Sequence, residues 1–253
     1  MSRILYISDT HFGHRNIIRY ENRPFSSVQE MNEELIRRWN SVVTPEDTVV
    51  HGGDFALCNK EVATHICHSL NGYKVLVKGN HDGNTKRMLD IGFSEVVDYY
   101  YENGVLIYHY PDVLHKVPLV NNYMDHFIEK LGGVVCKYCR RTEYAFDRIN
   151  HDISCPLKIS QLYNECNIFL YGHVHSKVPR NRPSKGINIS CEVLDYTPRT
   201  IEELKTIYLS RQESKGFTDP FDPIPKSVRN EYNTFKNLER DINRKEKLED
   251  DEK

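Results

Sequence analysis

No run of apolar residues in the sequence approaches the roughly 20 needed to cross a bilayer. The N-terminal apolar stretch Ile4–Ser8 meets Asp9 too soon to form the core of a signal peptide. The chain is therefore read as soluble, with no membrane among its partners, and as cytoplasmic (host cytoplasm if the source is viral). An excess of one charge is also missing: 34 Lys and Arg face 36 Asp and Glu, a net charge of −2. That balance argues against a protein built around a strongly basic nucleic-acid surface, though not against a local patch. The seven cysteines are odd in number and have no secretory context. They read as free thiols or metal ligands rather than as a disulfide framework. Internal repeats are also lacking.

What is present is a chain of 253 residues, 39% hydrophobic and 28% charged, with 12 histidines. That length suits one large domain with an insertion or a tail, and it is enough to bury a core. Ile4–Ser8, Thr48–Val50, Lys74–Val77, Val105–Tyr108, Ile168–Tyr171 and Gly186–Ser190 are short apolar runs that read as strands. Ser27 to Glu30 fits a capping box opening an amphipathic helix to about Asn40. A second helix is expected over Lys60–Ser69, and Thr200 to Glu203 opens a short third one. Strands alternating with helices imply an α/β sheet with a parallel portion, whose ligands bind at the carboxyl ends of the strands.

Five of those strand ends carry residues able to bind metal. Asp9 and His11 follow the first strand, Asp54 the second, Asn80 and His81 the third, His109 the fourth, and His173 and His175 the fifth. Alternate residues of an extended segment face one way, so Asp9 with His11, and His173 with His175, can each address one ion. The donors are carboxylate, imidazole and amide, without thiolate. Such a set suits Mn, Fe, Zn, Co or Ni, with Mn favoured. Seven ligands exceed one tetrahedral ion and suit two ions about 4 Å apart that share a carboxylate. Asp54, from the middle of the set, is the natural bridge.

With these blocks in order over residues 9–175, the sequence resembles the calcineurin-like metallophosphoesterase superfamily. The matching pieces are Asp9-Thr-His11, Gly53-Asp54, Gly79-Asn80-His81-Asp82, His109 and Gly172-His173-Val-His175. The opening Ser-Asp-Thr-His-Phe-Gly-His, with Asn22-Arg23-Pro24-Phe25, is most similar to a small bacterial and phage subgroup of phosphoesterases. The resemblance implies a two-sheet βαβ sandwich flanked by helices. It implies that Asp9, His11, Asp54 and His175 hold one metal, and Asp54, Asn80, His109 and His173 the other. It also implies attack on phosphorus by a hydroxide bridging the metals, with His81 protonating the leaving oxygen or stabilising phosphoryl charge. Asp82 then either tunes His81 or caps its loop. His14 either reaches substrate or caps the following helix, and Arg23 either clamps a phosphate or lies at the surface.

Between the fourth and fifth strands, Cys136, Cys139, His151 and Cys155 form C-x2-C-x11-H-x3-C. That closed, soft set suits a structural zinc in a finger-like insertion. The reading opposed to it is a group of reduced thiols without metal. The expected domains are a core of 1–110 and 166–213, an insertion over 111–165, and a charged, partly helical C-terminal extension over 214–253. Basic and acidic residues balance within the insertion, which weakens a nucleic-acid role for it. The reading that follows is a metal-dependent phosphoric ester hydrolase acting on phosphodiesters. Its alternatives are a monoesterase, protein phosphatase or nucleotide phosphatase of the same fold, and a catalytically idle metal-binding scaffold. The partner is a phosphate ester, with nucleotide and nucleic acid left open.

Overall fold

The structure, a computed structural model, describes residues 2–112, 127–130, 133–136, 142–143, 155, 157–177, 179, 183 and 185–214. In chain order the elements begin with β1 (Ile4–Ile7), α1 (Arg15–Tyr20), α2 (Val28–Val42), β2 (Thr48–His51), α3 (Lys60–Ser69) and β3 (Tyr73–Val77). There follow α4 (Thr85–Asp90), β4 (Glu95–Val97), β5 (Tyr100–Glu102) and β6 (Val105–Ile107). Next come β7 (Phe127–Lys130), β8 (Gly133–Cys136) and β9 (Thr142–Glu143). The chain continues through α5 (Lys158–Glu165), β10 (Ile168–Tyr171), β11 (Gly186–Asn188), β12 (Arg199–Thr200) and α6 (Ile201–Ser214).

Two sheets carry the core. The first has the order β12-β1-β2-β3-β4, and its β1, β2, β3 and β4 run parallel. The second has the order β11-β10-β6-β5, with β11, β10 and β6 parallel. Alternation along the strands separates two apolar clusters. Ile107, Ile168 and Leu170 join the main core, while Leu106, Tyr108, Phe169 and Tyr171 turn to the other face. There α5 covers them with Ile159 and Leu162. The sequence reading did not include α5, whose apolar stripe forms the helical layer of the second sheet.

Local signals account for the main helices. Ser27 caps α2 by accepting from Glu30 N at 3.1 Å, and Met31, Leu35 and Trp39 bury one face. Thr200 and Glu203 exchange hydrogen bonds as a capping box should, and α6 then runs for 14 residues rather than the short helix expected. The sequence reading did not include β4, β5, β12, α1 or α4. Each is six residues or fewer, too short to show a period.

The two sheets meet at their carboxyl ends. Ser8, just past β1, bridges Ser190, just past β11. Around this seam Ser8 N donates to Ile189 O, Cys191 N to Ser8 O, and Gly172 N to His109 O. Every strand-end loop named above therefore converges on one place. Among the described residues no helix is long and apolar enough to cross a membrane. Cys139 and His151, as well as the C-terminal extension beyond 214, lie outside the described residues. Cys136 is the last residue of β8, and Cys155 is buried.

Candidate metal centre

The loops leaving β1 and β2 are tied by their main chains, with Asp9 N donating to Gly53 O at 2.9 Å and His11 N to Asp54 O at 3.1 Å. Asp9, His11, Asp54, His173 and His175 all have positive φ, between 48° and 69°. For residues with a Cβ that conformation costs about 1–2 kcal/mol each, and such strain gathers where function requires it. Gly53, at φ +104°, could not carry a Cβ without striking the His109 ring. A Cβ on Gly172 would overlap Ser8 and the Asp9 carboxylate. These glycines are what allow the loops to close on the ligands.

Two groups result. Ligand atoms of Asp9, His11 and His175 lie within 4.8 Å of one another, as do those of Asp54, His109 and His173. Asp54 belongs to both in effect: its Oδ2 is 3.6 Å from His11 Nε2 and 3.5 Å from His109 Nε2. Asn80 Oδ1 completes the second group, 3.1 Å from His109 Nε2 and 2.9 Å from His173 Nδ1. The structure thus brings together all seven residues expected as ligands.

The electrostatics are those of a site built for added positive charge. Asp9 is fully buried, and burial pushes its carboxyl above the ordinary value. It accepts from Ser8 Oγ, from Ser190 Oγ at 3.0 Å and from His173 N at 3.0 Å. Burial also works against charge on Asp54, but the His109 ring, the His81 main-chain N–H and the His11 ring together hold the carboxyl low. On His109 burial is overcome in turn by Asp54 and Asp9, which lift the imidazole to about 9. Burial drives His11 down to about 3, so its ring is neutral. Both ring nitrogens of His11 are buried and make no hydrogen bond. A buried polar atom without a partner costs about 1–3 kcal/mol, and Nε2 of this ring, 3.6 Å from Asp54 Oδ2 and grouped with Asp9 and His175, is placed as a metal ligand would be. The donor set of oxygen and imidazole nitrogen fits a divalent metal.

The remaining expected residues take distinct places. His81 is exposed, with its ring 5.4 Å from that of His11, and its main-chain N–H donates to Asp54 Oδ1 at 2.8 Å. A cavity of about 300 Å³ adjoins it, walled by Ala56, Leu57, Ala63, Met88 and Ile91 with Arg87 at its edge. Asp82 accepts from the main-chain N–H groups of Gly79, Asp54 and Phe55 at 2.8–2.9 Å. It is a loop cap that fixes the Asp54 turn, rather than a partner of the His81 ring. His14 stands 5.4 Å from His11, ring to ring, and makes no side-chain cap for α1, although it occupies the cap position. Its Nδ1 is buried without a hydrogen bond.

Arg23 differs from the phosphate clamp or surface residue expected of it. It is 4% exposed and spends its donors inside the protein: on Thr10 O at 2.8 Å, on Asp9 O at 2.7 Å and on Glu192 Oε1 at 2.6 Å. Glu192 was not foreseen. Its Oε1 also meets His175 Nδ1 at 2.9 Å. The signal for it existed, because Glu192 lies just past the sixth strand, where the strand-end rule was not applied. His51 was likewise not foreseen. Buried and lowered to about 3 by burial, its ring accepts from Gly53 N at 3.2 Å and lies 3.0 Å from Thr10 Oγ1. It ties the β1 and β2 loops to each other.

Comparison with known proteins agrees with this arrangement. Over 84 residues the chain is 50% identical to the uncharacterised protein MJ1445 of Methanocaldococcus jannaschii, covering 32% of this chain and 48% of that one. Over 86 residues it is 34% identical to the gene 66 protein of Mycobacterium phage L5, covering 33% of this chain and 41% of that one. The chain thus spans less than half the length of these curated relatives. A solved structure, the protein of unknown function AQ665 from Aquifex aeolicus, superposes with a TM-score of 0.53 at 27% identity, covering 82% of this chain and all of that one. The sequence model of calcineurin-like phosphoesterases matches residues 2–177, which contain every ligand of the two groups. The chain belongs to the calcineurin-like phosphoesterase family, whose members are metal-dependent phosphoester hydrolases.

Proposed function

We propose that this protein is a dinuclear metal-dependent phosphodiesterase. The observation that carries the reading is the Asp54 carboxylate, set between two groups of ligands, beside a buried His11 ring whose nitrogens have no hydrogen-bond partner. Asp9, His11, Asp54 and His175 would hold one ion, and Asp54, Asn80, His109 and His173 the other, with Mn²⁺ the favoured metal. When bound, such ions neutralise phosphoryl charge and make water acidic enough to attack at neutral pH. The protein's own groups do the rest. Ser8, Ser190 and the His173 main chain hold the Asp9 carboxylate in place, and Asp82 fixes the turn that presents Asp54. The His81 ring stands at the mouth of the site, where it donates a proton to the departing oxygen. The apolar cavity beside it gives an ester's leaving group somewhere to lie.

The test is a rate screen with Mn²⁺ over an aryl phosphodiester, an aryl monoester, a cyclic nucleotide and single-stranded nucleic acid. Diester turnover abolished by chelation is the expected result. Monoester turnover alone would transfer the assignment to a phosphatase, and no turnover of any substrate would leave the idle-scaffold reading. For the insertion, the spacing of Cys136, Cys139, His151 and Cys155 supports a structural zinc. Cys139→Ser is expected to release one zinc equivalent, and unchanged zinc content would dispose of that assignment.

A further inference from the structure

We infer that the buried Arg23–Glu192 pair governs one metal position alone, the one formed by Asp9, His11 and His175, by fixing the orientation of His175 and the main chain of Asp9. This rests on the metal reading above and goes beyond it, because it makes the two positions unequal.

Glu192 Oε1 accepts three hydrogen bonds: from His175 Nδ1 at 2.9 Å, from Arg23 Nε at 2.9 Å and from Arg23 Nη2 at 2.6 Å. A carboxylate on Nδ1 requires the proton there and leaves the Nε2 lone pair for a metal. Nε2 of His175 lies 4.0 Å from Asp9 Oδ1, across the space that an ion would occupy. The same guanidinium grips Asp9 O at 2.7 Å and Thr10 O at 2.8 Å, the main chain that carries Asp9 and His11. One ion pair thus touches the β1 and β10 ends, which bring Asp9, His11 and His175 to this position, and not the β2 end, which brings the shared Asp54. The side chains of the pair are 0% and 5% exposed. Burying an ion pair brings little net stability and is retained where it sets a geometry. The second position is braced otherwise. His109 Nδ1 rests 2.9 Å from the neutral carbonyl of Gly52. A carboxylate raises the basicity of the ring it holds more than a carbonyl does, so removing the two braces should have unequal consequences.

The experiment is Mn²⁺ equilibrium dialysis of metal-stripped full chain, combined with electron paramagnetic resonance to separate spin-coupled pairs from single ions. Wild-type protein should bind two Mn²⁺ and show the coupled signal. Glu192→Gln, which keeps shape and removes charge, should weaken one Mn²⁺ about 10- to 100-fold, leave the other within about twofold, and replace the coupled signal by that of an isolated ion. Because this variant leaves Arg23 buried without its counter-ion, the double variant Arg23→Gln, Glu192→Gln is measured beside it; there the same single position should weaken. Two unchanged affinities, or two equally weakened ones, overturn the inference while the metal reading stands. Wild-type protein that binds no Mn²⁺ overturns both.

Discussion

Two buried aspartates at opposite ends of one parallel strand pair are treated in opposite ways. Asp47 precedes β2, and Asp54 follows it. Asp47 is 2% exposed and saturated: it accepts from Arg3 N at 2.9 Å, Arg3 Nη2 at 2.6 Å, Thr44 N at 2.9 Å and Thr44 Oγ1 at 3.0 Å. Asp54 is equally buried, yet it sits in a left-handed turn, with Oδ2 at ion-pair rather than hydrogen-bond distance from two imidazoles, one of them without a partner. The difference separates architecture from chemistry. At the amino end of the strands, burial of charge is answered within the chain. At the carboxyl end Asp54 Oδ2 stands 3.5–3.6 Å from two imidazoles, spaced as metal ligands are, and the backbone there is held in strained conformations.

The largest expected effect comes from breaking the unanswered end. Asp54→Asn should lower turnover by roughly a thousandfold or more, while thermal unfolding of the metal-free protein shifts little. A steady-state assay beside a melting curve checks both, and retained turnover would remove Asp54 from its bridging place. Next in size is the effect of metal on stability. Each ion at a hundredfold excess over its Kd should add about 2.7 kcal/mol. Chemical denaturation with and without Mn²⁺ should show that increment in wild type and in Asp47→Asn, and lose most of it in Asp54→Asn.

The answered end gives smaller, purely structural effects. Asp47→Asn should cost about 1–2 kcal/mol at pH 7 and leave activity alone. The Arg3 hydrogen bond first, with the Thr44 donors, holds the Asp47 carboxyl well below the usual carboxylate range. Its contribution is therefore fully present above the unfolded value of about 4 and is lost as pH falls further. Denaturation of wild type and variant at pH 7 and pH 3 should show the gap between them narrowing at the lower pH. A constant gap would mean the loss is packing rather than charge. Smallest of all is Glu34→Gln on the surface of α2. Arg37 and Arg38 hold that carboxyl at about 2, but in open solvent the trio should be worth under about 1 kcal/mol in the same assay.

The unanswered end was the part legible in the sequence. Each ligand is a polar residue within four positions of the end of an apolar run, and that pattern survives without knowledge of how the sheets meet. The bracing was not legible, for a physical reason. Arg23 and Glu192 are 169 positions apart, and they meet only because Ser8 pairs with Ser190 across the seam. An arginine before a proline reads as a surface residue until its donors are found inside the protein. Asp82 was open to two readings, since a loop carboxylate beside a catalytic histidine looks alike whether it faces the ring or the main chain. The helix α5 was not read because the cysteine spacing, not apolar periodicity, drew the reading of residues 111–165. Ile159 and Leu162 carried the correct signal at a helical interval.

The central claim is that Asp54 joins two metal positions. It is tested most directly by anomalous scattering from crystals grown with Mn²⁺. Two peaks about 4 Å apart are predicted, one beside His11 and His175, the other beside His109, His173 and Asn80, with the Asp54 carboxylate between them. A single peak, or metal bound only outside these residues, would contradict it.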